Sequence, residues 1–220
     1  MNKILSLTLV FTILVSCSEQ DKIEVFWKEL EKNETEIALL PTQKKLDRLN
    51  SMIKKVSESL LIEISVNKNK NLLTDIVVSA NGNKELFPQV DKIIDSAYKS
   101  KKFTFTALRQ ANPKYEGFNY DSMELSVGAM SFIPIETEQG LGAKFIVFEK
   151  ALNVDKNFME VYGPMTIDYL IGERTFAEEI IAYDFYFKSD LDGEEKALPL
   201  SELTNYLNKR REFYRNQKNN

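Results

Sequence analysis

Two spacings of apolar residues alternate along this chain, and their order outlines a fold. Ile23, Phe26, Trp27 and Leu30 recur at helical spacing and predict a helix over 22–33. Pro41-Thr42 opens a second helix, with Leu46, Leu49, Ile53, Val56 and Leu60 on one stripe. Lys44, Lys45, Lys54 and Lys55 fall largely outside that stripe and read as a solvated face. The period then drops to two. Leu60–Val66 and Leu72–Ser79 are β-rich and flank the polar loop Asn67-Lys68-Asn69-Lys70-Asn71, which predicts a hairpin. After the turn Ala80-Asn81-Gly82-Asn83, a helix is expected over 84–99, carrying Phe87, Val90, Ile94 and Tyr98, with Pro88 in its first turn. Phe103–Leu108 alternates as a strand.

That β-β-α-β order returns. Met130–Glu136 and Ala143–Glu149 read as a second hairpin, 156–171 as a helix with Phe158, Val161, Met165 and Tyr169, and Ile180–Phe187 as a closing strand. Gly163-Pro164 is expected to kink that helix. The expectation is an α+β fold. Two β-β-α-β units, 60–108 and 130–187, form one or two antiparallel sheets with helices packed on one face, plus N- and C-terminal helices. Order and spacing carry the duplication, since residue identity between the halves is slight and chance can produce the same order. Residues 109–129 link the halves, and Met123–Val127 is a candidate short strand. Leu198–Tyr214 predicts a terminal helix with Leu200, Leu203 and Leu207 on one face, followed by a frayed tail over 216–220.

The N terminus reads differently. Lys3 precedes the uncharged, mostly apolar run Ile4–Val15, which suits a signal-peptide core and falls short of the roughly 20 residues a membrane span needs. The run ends in Leu14-Val15-Ser16-Cys17, which resembles the lipobox of bacterial lipoproteins, and Cys17 is the sole cysteine. The resemblance implies removal of 1–16, with Leu14, Val15 and Ser16 as the peptidase recognition residues. It also implies lipid, including palmitate-type acyl chains, on Cys17, and a membrane partner through that lipid. Residues 17–22 are then a polar tether, and 23–215 a single domain. Ser18 does not resemble the aspartate that retains many lipoproteins in an inner membrane, so an outer-membrane envelope site is favoured where the cell has one.

Composition narrows the chemistry. Without residues 1–16 the chain keeps 28 Lys+Arg against 33 Asp+Glu, a net charge of −5, which argues against a nucleic-acid partner. The absence of histidine removes the commonest general base, the Ser-His-Asp triad and the usual zinc ligand. A lipidated Cys17 removes thiol chemistry. No phosphate-cradling glycine motif occurs. No cofactor and no metal site are expected; the acidic run Asp190-Leu191-Asp192-Gly193-Glu194-Glu195 lacks calcium-loop spacing.

Carboxylates and aromatics remain as candidates. Glu173, just past a helix-ending Gly172, is positioned to cap a neighbouring helix or pair with Arg174; Glu178 and Glu179 read as solvated loop charges. Trp27 is either a staple for its helix or a ligand-stacking ring. On the last strand, Tyr183, Phe185 and Phe187 share one face, with Asp184 and Tyr186 on the other. Tyr186 is a binding candidate if that face is open.

The stretch Ile76–Val90, the Phe26-Trp27 pair, Ile171-Gly172-Glu173 and Tyr183-Asp184-Phe185 together resemble a bacterial domain family of unknown function. The likeness spans 23–205 and implies one domain without supplying an activity. The functional expectation is a lipid-anchored, non-enzymatic binding module for an envelope protein or a secreted ligand. Two alternatives stay open: a carboxylate-based hydrolase acting on glycans, and a protective protein that neutralises a toxin or inhibitor at the envelope.

Overall fold

A computed structural model describes residues 18–65, 73–120, 123–137, 139–147, 154–191 and 196–218. The signal segment with Leu14, Val15, Ser16 and Cys17, the loop 67–71 and the acidic run at 192–195 lie outside the described residues.

The fold is α+β. Helix α1 (Glu19–Leu39) and helix α2 (Thr42–Ile53) precede a three-stranded sheet of β1 (Leu61–Ser65), β2 (Thr74–Ser79) and β3 (Phe103–Ala107), in the order β1-β2-β3. Helix α3 (Phe87–Asp95) crosses from β2 to β3. The second half repeats the plan. β6 (Met130–Glu136), β7 (Leu141–Val147) and β8 (Ile180–Phe187) form a sheet in the order β8-β7-β6, with α4 (Lys156–Ile171) and α5 (Glu173–Glu179) crossing from β7 to β8. The two-residue β9 (Leu198–Pro199) pairs with the free edge of β6, and α6 (Leu203–Lys218) closes the chain. Between the halves, β4 (Gly117–Tyr120) and β5 (Met123–Ser126) form a separate antiparallel ribbon.

In both units the hairpin strands pair antiparallel and the strand after the helix pairs parallel, β2 with β3 and β7 with β8. The sheets are therefore mixed rather than purely antiparallel. A helical crossover returns the chain in the direction in which it left, so only a parallel pairing closes the unit.

Each sheet turns one face to its own helices. Ile62, Ile76, Val78 and Phe103 meet Phe26, Leu30, Leu49 and Val90 of α1–α3 in one core; Phe132, Phe145 and Phe185 meet Phe158, Ile167, Leu203 and Leu207 in the other. Gly163 of α4 lets the helix approach β8 closely, since a Cβ there would stand 2.5 Å from the Phe185 ring.

Several bounds differ from the sequence reading for identifiable reasons. Helix α1 starts at Glu19 rather than 22, so the expected tether over 17–22 is mostly helix. Ser18 accepts from the Asp21 backbone N–H and the Asp21 carboxylate accepts from the Ser18 N–H, a capping box that starts the helix early. Its far end runs past 33 because Ile37 is buried and Glu34 is held by Tyr98 and Ser100. Helix α2 stops at Ile53; Val56 and Leu60 reach the core from the turn beyond it. Lys45 is 9% exposed, buried instead of solvated.

Candidate functional site: an arginine-centred junction

Three strand or helix segments carry one acid inside an apolar run: Glu63 in Leu61–Ser65, Asp75 in Thr74–Ser79 and Asp168 in Thr166–Ile171. A charge placed there must find a partner, because burial of an unpaired ion is strongly unfavourable. For Glu63 and Asp168 the partner is Arg109, two residues past β3 and 3% exposed, while Asp75 accepts from the hydroxyls of Thr104 and Thr106. Leu108 takes the left-handed backbone conformation, φ 59°, which is uncommon for a side chain of its size and turns the chain so that Arg109 enters the junction.

The guanidinium is fully engaged. Its Nε donates to both Glu63 oxygens at 3.0 and 3.1 Å, and Nη1 donates to Asp168 Oδ2 at 2.7 Å. Glu173 Oε2 stands 3.8 Å from the same Nη1. The Tyr169 hydroxyl donates to Glu63 Oε2 at 2.9 Å, its ring lies 5.9 Å from the guanidinium carbon, and Tyr115 stacks on it at 5.1 Å. First-sheet, linker and α4 residues thus meet at one point.

Glu173 ties the halves a second time. It is fully buried, and its Oε1 accepts from Ser79 Oγ, the Ala80 N–H and the Gly82 N–H at 2.9–3.1 Å. Its Oε2 accepts from the Arg109 N–H at 3.1 Å, while its own N–H donates to the Arg109 carbonyl at 2.9 Å. The turn after β2 holds Asn81 and Gly82 at φ 52° and 76°, which brings the Ala80 and Gly82 N–H groups onto one oxygen while the Asn81 N–H donates to Ser79 Oγ. Gly172, at φ 90°, turns α4 into α5 and delivers the carboxylate; a Cβ there would lie 3.3 Å from the Ala111 nitrogen.

One guanidinium thus serves three carboxylates, and the imbalance is visible in Asp168. Burial pushes its pKa up to about 7, with Arg109 opposing and Glu173 and Glu63 adding to the rise. Its Oδ1 is buried with no hydrogen-bond partner among the described residues. Burial opposes the charge on Arg109, but Glu63, Asp168 and Glu173 outweigh that cost and raise its pKa.

Above the junction, on the face of the first sheet turned away from α1–α3, lies a recess of ≈130 Å³ lined by Glu63, Asp75, Val77, Thr106, Arg109 and Tyr169, with Gln110 and Asn112 at its side. The Thr104 and Thr106 hydroxyls both donate to Asp75 Oδ1 at 2.9 Å. Small-molecule pockets usually measure roughly 300–1,000 Å³. This one has room for a single side chain, and its polar walls are already fixed by one another.

The residues singled out in the sequence scatter. Glu173 belongs to the junction, whereas Arg174 pairs with Asp91 at 2.7 Å and not with Glu173. Trp27 is 5% exposed, wedged beside Phe26 and Phe105, and its Nε1 donates to the Ile93 carbonyl at 2.9 Å; it is a staple, with no face left for a ligand. Tyr186 is half-buried on β8, paired with Ile146 of β7, and is not among the residues of the junction. Glu178 and Glu179 lie on α5 rather than in a loop, paired with Arg174 and Arg211. Sequence reasoning passed over Arg109, Glu63, Asp75, Asp168 and Tyr169. The available signal was an acid interrupting each of three apolar runs.

Among the described residues no group of three or more His, Cys, Asp or Glu is arranged to hold a metal ion, and no helix is long and apolar enough to cross a membrane. Fold and site together define an α+β protein whose two halves are joined through a buried ionic cluster beneath a small polar recess. No family model, no curated protein and no solved structure matches the chain.

Proposed function

We propose that this protein is a lipid-anchored, non-enzymatic binding module of the cell envelope, and that the recess over Arg109 is where it receives a basic side chain of an envelope protein or secreted ligand. The observation that carries the reading is the fixed recess itself. Glu63 and Asp168 are held by the guanidinium, Tyr169 by Glu63, and Asp75 by Thr104 and Thr106, so binding needs little reordering. The guanidinium stands against three carboxylates, Glu63, Asp168 and Glu173, and Asp75 adds a fourth acid on the recess wall, which favours a cationic visitor. The anchoring part of the reading is supported by the apolar run ending in Leu14-Val15-Ser16-Cys17.

A glycan hydrolase has one observation in its favour, the raised pKa of Asp168, which suits a general acid. Its side chain, however, is 6% exposed and bound to Arg109, and it does not line the recess. Glycoside hydrolysis also needs two acids facing the substrate about 5–9 Å apart in a cleft that admits a sugar ring. The binding reading therefore leads.

The test is crosslinked capture from intact cells with a C-terminal tag on the full-length chain, beside Thr106→Arg, which fills the recess with a guanidinium, and Cys17→Ala. A stoichiometric protein lost in Thr106→Arg supports the recess. Equal recovery with both chains, or an empty capture, overturns it.

A further inference from the structure

The wall of the recess is laid out by strand register. Glu63 of β1 pairs with Val77 of β2 and Val77 with Thr106 of β3, while Asp75 and Thr104 form the next row. Strand residues two apart share a face, so these side chains all stand on the face turned away from α1–α3. The two acids of the wall differ in what they can still accept. Glu63 Oε1 takes Arg109 Nε and Nη2, and its Oε2 takes Nε and the Tyr169 hydroxyl. Asp75 Oδ1 takes the Thr104 and Thr106 hydroxyls, while its Oδ2 accepts from no described residue.

The wall therefore offers one open carboxylate oxygen. Gln110 adds a neutral acceptor to the same lining: its Nε2 donates to the Ala107 and Leu108 carbonyls at 2.7 and 3.4 Å, which leaves its amide oxygen to accept. A guanidinium is a planar fork, best matched by both oxygens of one carboxylate, as Arg109 is matched by Glu63. An ammonium is a compact charge with three rotatable donors and can settle on a single oxygen. Val77 and the Tyr169 ring supply apolar wall, which suits the methylene stem of a long cationic side chain.

We propose that the cation received by the recess is a lysine ammonium rather than an arginine, held by Asp75 Oδ2 and the Gln110 amide oxygen with its stem along Val77 and Tyr169. The inference rests on the proposed function and names the ligand of that same site. A free α-amine at a peptide terminus carries the same charge. The lysine is favoured because an amine without a stem leaves the apolar wall uncovered.

The experiment follows amide NMR spectra of the full-length protein titrated with N-acetyl-lysine methylamide, N-acetyl-arginine methylamide or glycine methylamide. The variant is Asp75→Asn, which keeps the oxygen used by Thr104 and Thr106 and replaces the open one with an amide nitrogen. Expected are shifts at Thr106 and Gln110 that saturate with the lysine probe at about tenfold lower concentration than with the other two, the worth of one charge-assisted hydrogen bond. The difference should vanish in Asp75→Asn while the spectrum elsewhere is unchanged. An arginine probe that binds as tightly at the same amides overturns the preference for an ammonium and leaves the recess a cation site. A glycine probe that binds as tightly overturns the role of the stem and assigns the site to an α-amine. Unchanged lysine affinity in Asp75→Asn overturns the role of Asp75. No shift at these amides with any probe overturns the recess reading itself.

Discussion

Asp168 gives one carboxylate oxygen to Arg109 at 2.7 Å and keeps the other buried without a partner. The sign of its effect on stability is therefore opposite to that of an ordinary salt-bridged aspartate. Its folded pKa, about 7, lies above the ordinary aspartate value of 3.8, so the native state holds a proton that the unfolded chain releases across that interval. The stability contributed by Asp168 is fully present below about pH 4 and is lost as the pH rises toward 7, an amount on the order of 1–3 kcal/mol. Urea midpoints measured from pH 4 to 7.5 should show this slope in the wild type and a flatter profile in Asp168→Asn. Parallel profiles for the two proteins would refute the assignment.

Glu173 should be the costliest single loss in the junction. Glu173→Ala leaves the Ala80 and Gly82 N–H groups and the Ser79 hydroxyl facing a void, and strips one carboxylate from Arg109. Breaking such a buried set costs about 3–5 kcal/mol. Glu173→Gln retains one accepting oxygen and should lose clearly less. Chemical denaturation of the pair reads both numbers, and an alanine variant as stable as the glutamine variant would show that the turn does not depend on this acceptor.

Much of this was legible in advance, and the reasons divide cleanly. Helix α4 and strands β6 and β8 have the expected bounds, with Met130 and Phe132 alternating on one buried face of β6. The expected α4 stripe of Phe158, Val161, Met165 and Tyr169 does not hold, since Val161 is 58% exposed and the buried residues surround the helix. Helix α5 was not legible: seven residues with Phe176 as the one fully buried apolar side chain leave no period to detect. Strand β5 matches the short strand expected at Met123–Val127, whereas its partner β4 has four residues, too few for alternation to stand out. At the site, Glu173 could be singled out from its place after Gly172. Arg109 could not, because its partners come from 46, 59 and 64 residues away and no local pattern records them.

Gly163→Ala tests how closely α4 sits on β8. Alanine gains about 0.5–1 kcal/mol in helix propensity, but its methyl would stand 2.5 Å from the Phe185 ring. Overpacking of that kind costs about 1–3 kcal/mol, so the clash wins and net destabilisation is expected. Phe185→Leu in the same chain should recover part of the loss in a thermal melt. A stabilised Gly163→Ala would mean that the ring gives way.

Trp27→Phe isolates the indole hydrogen bond. The ring stays beside Phe26 and Phe105, while the donor to the Ile93 carbonyl and Ser96 Oγ disappears. A loss of about 1–2 kcal/mol by denaturant titration is expected, because a buried acceptor is left with fewer partners. No change would show that the Ser96 hydroxyl, which also donates to Ile93 at 3.0 Å, suffices alone.

The stitch between Glu173 and the turn at 79–82 also orders events in time. A chain made from its N terminus completes β1, β2 and β3 by Ala107, yet the acceptor for the Ala80 and Gly82 N–H groups arrives only at residue 173. Glu63 likewise waits for Tyr169, 106 residues later. During that interval the first half carries a turn without its anchor and an arginine short of two of its acids. The halves therefore mature together, and a product truncated ahead of residue 173 would be left open to proteases at its own best-formed sheet.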